Sequence, residues 1–449
     1  MPRRNSNGSN YETKGKSHKA KSASEIARNV EHFHTWSERQ RCEQVSISDI
    51  PAELQADIQA VFDFKAQLPA EWCKKTSKAS RSISFVLPDE FLKFLREIPS
   101  GSKLFSKDVL GKDCKQMLSD LQLVFAAWTR LKKMRESSRK WSEADYVANV
   151  YNVFRSSAIH ESDYQVERTI CLPQPLCTTH LKAKELLVLN VQIATPDSSI
   201  YIPARYIKDL SHGASSPYMK LKERLQTRAR GHGGAESLRY QSTPSQKIST
   251  EPGFEFVSAF WEDKKPLQSL LDSAYRQNRM ATTSAVRQLH ALHINAPIFG
   301  LVWSQGKVRA HVDWWIVKPN SDDPTIQSAF YIEPTAGGRR DSTVYHEWDL
   351  EDPEDILQVY LLIRNLDRWT TGRFCELVYD GINQLVVDVS EHGQKIVPWR
   401  RTGDLRSALH TVPENSPPPN SAATPPASPQ RPRTRQATRR PLRRPSDTH

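Results

Sequence analysis

The chain has 449 residues, of which 38% are hydrophobic, 9% aromatic and 25% charged, and its formal net charge at pH 7 is +12. That length can bury a sizeable core without disulfides or metal, and no apolar run reaches the ~18 residues of a membrane span, which excludes an integral membrane protein. Six cysteines with no CxxC pair, and a polar, basic first thirty residues, predict an intracellular protein with reduced thiols and no secretory signal.

The positive charge belongs to the ends. Residues 1–28 hold seven Lys/Arg and two Glu, and residues 413–449 hold seven Arg, one Glu and one Asp, so each end carries +5 and the long middle is nearly balanced. Both ends are rich in Ser, Asn, Pro or Gly and poor in core-forming residues, which predicts disordered basic tails. Arg439-Arg440-Pro441-Leu442-Arg443-Arg444 has the composition of a nucleic-acid contact or a nuclear import signal, or of a merely solvated tail. A nuclear location is favoured over a cytoplasmic one.

In chain order, residues 29–140 read mainly as helix. Asp89–Arg96 and Cys114–Arg135 place apolar residues three and four apart, in the second case Met117, Leu121, Val124, Trp128 and Leu131. The basic residues that end this stretch suit a helix C-terminus. From residue 141 to 375 the pattern is mixed and predicts one α/β domain, with 376–412 as its C-terminal extension. Ser142 can cap a helix to about Ser156 whose apolar face is Tyr146, Val147, Val150, Tyr151 and Phe154. Tyr164–Leu172 reads as a strand, and Glu185–Thr195 as a strand buried on both faces. Residues 208–253 read as a long mobile insertion. Gly253–Lys264 is the next strand, followed by a helical stretch to about His293, interrupted near Gln277–Arg279. Ile298–Trp303 and Val308–Val317 flank Ser-Gln-Gly-Lys as a hairpin, Ser328–Glu333 is a further strand, and a helix runs from about Pro353 to Trp369.

The chemistry-bearing residues lie in Trp261-Glu262-Asp263-Lys264-Lys265-Pro266. Period-two geometry puts Glu262 and Lys264 on one face of a strand and turns Asp263 away. A carboxylate and an ammonium two apart on a buried strand are costly unless paired or functional. Carboxylate oxygens suit a hard divalent ion, and a neighbouring lysine can orient water or stabilise phosphoryl charge.

With these residues in this order, the chain resembles the PD-(D/E)XK nuclease superfamily, particularly the nuclease-like domains of uncharacterised fungal proteins. The resemblance covers about Trp141–Trp369. It rests on Trp-Ser-Glu-Ala-Asp-Tyr at 141–146, the apolar segment around Asn190, Phe260–Pro266, Gln288-Leu289, and Phe299–Trp303 with the strand after it. It implies a restriction-endonuclease-like αβββαβ core, a small mixed sheet flanked by helices. It also implies phosphodiester cleavage with Mg²⁺ or Mn²⁺ on nucleic acid, DNA favoured over RNA. Glu262 matches the metal-binding acid and Lys264 the catalytic lysine. Gln288 matches the polar residue of the following helix or is an interior amide, and Glu143 is either an acid of the first helix or a helix-dipole residue. The second strand departs from the pattern: where active members carry an aspartate, this one offers Asn190. Asp197 lies seven residues further, about 23 Å along an extended strand, and Glu185 stands at the strand's start. The expected metal set is therefore Glu262, Asn190 and Glu143, one anion short. The rival to an enzyme is a nuclease-fold module that binds nucleic acid or protein without catalysis.

Cys171, Cys177 and His180 have no common zinc spacing and lack a fourth ligand. His290 and His293 read as helix-end residues, and His311 and Asp313 as one face of an antiparallel strand. No Walker loop or GxGxxG is present.

Overall fold

The structure, a computed structural model, describes residues 20–74, 88–99, 101–107, 109, 113–178, 180–228, 238–264, 271–319, 321, 323–332, 345–400 and 405. Most of the two expected basic tails, residues 1–19 and 413–449, lies outside the described residues. The end of the first tail is ordered: Ala23–Arg28 is a helix (α1), because Ser22 and Glu25 form a reciprocal capping box and Ile26 is buried.

A mixed sheet with helices on both faces forms the centre. Its strands are β1 (Cys42–Gln44), β2 (Asp163–Val166), β3 (Ser198–Tyr201), β4 (Val257–Lys264), β5 (Ile298–Ser304), β6 (Lys307–Val317), β7 (Pro324–Phe330) and β8 (Trp348–Asp349). They lie in the order β1-β7-β6-β5-β4-β3-β2, with β8 also on β6. The β1–β7 and β4–β5 pairs are parallel and the others antiparallel. The β5–β6 hairpin turns through Gln305 and Gly306, both at positive φ. Gly306 also donates its amide to the Tyr151 hydroxyl at 2.9 Å, tying the turn to the helix over it.

That helical run is Glu143–Tyr146, a π turn at Val147–Tyr151, and Asn152–Ala158. Ser142 caps it, and Val150, Tyr151 and Phe154 are buried on the expected face. Arg155, fully buried, donates from Nη1 at 2.9 Å and from Nη2 to the carboxylate of Asp263, which β4 turns toward this face. Its guanidinium lies 4.0 Å from the Trp303 ring centroid. The helix Leu271–Ala291 (α2) covers the opposite face without the break expected near Gln277–Arg279. Asn278 instead points inward and donates to the Phe260 carbonyl at 3.0 Å. Gly300 is required there: a Cβ would come within 2.0 Å of His311 Nε2 and 2.3 Å of Asn278 Oδ1.

Four segments differ from their expectation. Ala183–Leu189 is a helix, not the start of a buried strand, and ends at its C-cap residue Asn190. An apolar run this short has no periodicity that separates the two forms, and Ala183-Lys184-Glu185-Leu186 favours helix intrinsically. Residues 164–172 make two strands, one in the main sheet and Ile170–Cys171 in a separate pair with Ile193–Ala194. The described part of 208–253 carries helices Lys208–Ser211, Pro217–Arg228 and Leu238–Gln241, with Tyr218, Leu221 and Leu238 buried. The N-terminal region, read as helix, contributes β1, and its apolar residues join the same core. Among the described residues no helix is long and apolar enough to cross a membrane.

Asp263→Ala would leave the Arg155 charge buried and unpaired, which costs about 3–5 kcal/mol. The expected outcome is a large drop in the urea midpoint, read by far-UV circular dichroism. A midpoint equal to wild type would mean that the pair does not hold this helix to the sheet.

Candidate functional site

The site lies where β4 ends. Glu262 is fully buried and Lys264 donates from Nζ to Glu262 Oε1 at 2.5 Å. β3 runs antiparallel to β4 with Ser198 opposite Trp261, so the residue before Ser198 falls level with Glu262. That residue is Asp197, and its Oδ2 accepts a 2.6 Å hydrogen bond from the Asp263 amide. An aspartate, and not Asn190, is therefore the residue level with Glu262 beside β4.

Asn190 does not stand on the strand next to Glu262. As a helix C-cap its Oδ1 accepts from the Leu405 amide at 3.1 Å. The 23 Å separation assumed one extended strand from Asn190 to Asp197. The chain instead leaves a helix at Asn190, passes through Ile193–Ala194 and enters β3 after Pro196. Glu185 is engaged elsewhere, with Arg39 Nη2 at 3.0 Å. Pro196-Asp197 just ahead of Ser198-Ser199-Ile200-Tyr201-Ile202 was the signal that could have found the acid.

Gln288 is also away from the site. Its Nε2 donates to the carbonyls of Ser242 at 3.0 Å and Glu255 at 2.9 Å, at the opposite end of β4. Asn278 bonds to Phe260 near the site, and ten residues further along α2 is about 15 Å of helix. Glu143 is half-buried at the first helical position after Ser142. Its charge acts on both Asp197 and Lys264.

Electrostatically the site is overloaded with anions. Burial pushes the Glu262 carboxyl well above the usual range; Lys264 opposes this and Asp197 adds to it. Burial and the Asp263 charge push Asp197 up to about 6, with Lys264 opposing and Glu143 adding. Burial works to lower Lys264, yet Glu262, Asp197 and Glu143 outweigh it and hold the ammonium above its ordinary range. Among the described residues, Glu262 Oε2 is buried with no hydrogen-bond partner.

These features fit a divalent cation. An orphaned carboxylate oxygen and two carboxylates that resist ionising beside each other are both relieved by a hard positive ion. Among the described residues no three His, Cys, Asp or Glu side chains form a ready-made metal cage. A magnesium-type ion, which keeps several waters and uses one or two carboxylates, does not need one. The thiols of the weaker zinc candidate are occupied otherwise, Cys177 Sγ accepting from Arg39 Nη1 at 3.4 Å. His290 packs edge-on against Trp315, and His293 pairs with Asp388 at 3.3 Å.

Because the Asp197 pKa is raised from 3.8 to about 6, the ionised carboxylate destabilises the fold. Its contribution is fully present below pH 3.8 and is lost as pH rises through about 6. Asp197→Asn should therefore raise the melting temperature at pH 7.5, by on the order of 2 kcal/mol of stability, and leave it unchanged at pH 3.5. The same variant should lose the melting-temperature increase that Mn²⁺ gives the wild type. Differential scanning fluorimetry reads both. No protein-family model matches this chain, and no curated protein does.

Proposed function

We propose that this protein is a metal-dependent phosphodiester hydrolase acting on nucleic acid, built on a restriction-endonuclease-like core. One observation carries the proposal: Asp197 stands level with Glu262 on the neighbouring strand, with Lys264 on Glu262. Support for the core comes from the order of elements. Apart from the elements inserted between β2, β3 and β4, a helical run at 143–158, these three strands, α2 and then β5 follow the order αβββαβ, with Asp197 just before the second strand and Glu262 on the third.

Asp197 and Glu262 would hold the ion, with Glu143 at the rim, and Mg²⁺ or Mn²⁺ is the expected metal. When bound, such an ion supplies a Lewis acid for phosphoryl oxygens and acidifies a bound water. Lys264 is held protonated by its carboxylate neighbours, so its role is electrostatic. It orients the attacking water and offsets charge on a non-bridging phosphoryl oxygen. The buried Arg155–Asp263 pair keeps the helix that starts at Glu143 against β4. The non-catalytic alternative, a nuclease-fold module that binds nucleic acid or protein, was read from Asn190 in place of an anion; Asp197 level with Glu262 favours the enzyme reading.

Labelled single- and double-stranded DNA and RNA should be cut by the wild type with Mg²⁺ or Mn²⁺ and left intact with EDTA. Asp197→Ala and Lys264→Ala should each lower the rate by about a hundredfold or more, while Asn190→Asp adds nothing. Undiminished cutting by Asp197→Ala would sink the assignment. So would a silent wild type at full metal occupancy.

A further inference from the structure

The charged row at the end of β4 continues across the sheet. β4 pairs with β5 and β5 with β6 so that Glu262 is level with Val302 and Arg309, and Lys264 with Ser304 and Lys307. Residues paired in this way project from the same face. Two strand spacings place the Lys307 and Arg309 backbones about 10 Å from those of Lys264 and Glu262.

These two cations converge on one carboxylate. Lys307 Nζ donates to Glu347 Oε1 at 2.7 Å, and Arg309 donates to Oε2 from Nε at 2.7 Å and from Nη2 at 2.6 Å. The Tyr345 ring lies 3.8 Å from the guanidinium and fixes its plane. Burial opposes the ionised form of Glu347, but the hydrogen bonds from Lys307 and Arg309 outweigh it and hold the carboxyl below its usual range. Two other acids lie close. Asp272 is 4.0 Å from Arg309 Nη1 with its side chain 77% exposed, and Asp349, level with Lys307, is engaged by Arg135 at 2.9 Å. Among the described residues the two cations thus share one close carboxylate, and the Lys307 side chain remains 40% exposed. A guanidinium fork and an ammonium closing on two oxygens is how proteins hold a phosphate. Glu347 precedes β8, so its side chain can rotate away while the Trp348–Val308 pairing stays in place.

We propose that Lys307 and Arg309 form a phosphate subsite for the nucleic-acid backbone beside the reacting phosphate, occupied by the Glu347 carboxylate until substrate displaces it. This inference rests on the hydrolase reading above. It goes beyond that reading by naming where a non-reacting phosphate is held and which group competes for the place.

The test is fluorescence anisotropy of the full chain with labelled single-stranded and duplex oligonucleotides in EDTA, across 50–200 mM salt. It is paired with the Mn²⁺ melting shift and with steady-state cleavage. Lys307→Gln should weaken binding about threefold or more and reduce the log K against log salt slope by about one unit. In cleavage it should raise KM with kcat unchanged. Arg309→Lys keeps the charge but loses the fork, and should weaken binding similarly. Glu347→Gln removes the competitor and should tighten binding about threefold or more. An internal ion cluster predicts the reverse: Glu347→Gln would leave binding unchanged or weaker, and Lys307→Gln would alter only stability. That result, with the Mn²⁺ shift intact, overturns the subsite and leaves the hydrolase reading in place. A wild type that shifts with Mn²⁺ but binds no oligonucleotide overturns the subsite and the nucleic-acid substrate together, without touching the metal site.

Discussion

Three consecutive charged residues, Glu262, Asp263 and Lys264, close a strand that has almost no contact with water. Burial forbids leaving any of them unpaired, and the two-residue period of a strand forbids solving all three in one place. The structure divides them. Asp263 turns to one face and meets Arg155, which pins the first helix of the α/β unit. Glu262 and Lys264 turn to the other face and meet each other. The backbone amide of the same Asp263 then reaches across to Asp197. One strand end thus fixes a helix, a neighbouring strand and the acids between them.

Much of this was legible from residue order. The Glu-x-Lys strand, the capped helix before it, the β5–β6 hairpin and the long helix at Pro353 all follow from periodicity and turn residues. What failed to read was the stretch from Ala183 to Asp197. Its run of leucines and valines is short enough to be helix or strand, and only packing decides. Taking it as strand put Asn190, and not Asp197, level with Glu262. Gln288 misled for a different reason, since a polar residue on the inward face of a helix signals burial but not which end of the sheet it faces. β1 was invisible because three residues, Cys42-Glu43-Gln44, carry no pattern and become a strand only by pairing with β7.

The carboxylates at the site are held against their preference, and the fold carries that cost. Buried carboxyls whose ionised forms are disfavoured are common at functional sites and in structural ion-pair networks alike. The surrounding order is unusually redundant in compensation. A buried ion pair stacks on Trp303, Gly300 gives Asn278 and His311 room to approach the strands, and Gly306 bonds to Tyr151. Such local supports let a destabilised centre persist in an otherwise stable domain.

The pairing of β1 with β7 has a temporal side. Cys42 lies opposite Ile326, so roughly 280 residues must leave the ribosome before that strand finds its partner. At ~5–20 residues per second this is a wait of tens of seconds. During that time β1 has no strand to pair with. Once β7 emerges, its outer edge is bare until the N-terminal segment closes over it. This early segment is thus among the last to settle, and it covers the Ile326–Ser328 stretch of the β7 edge.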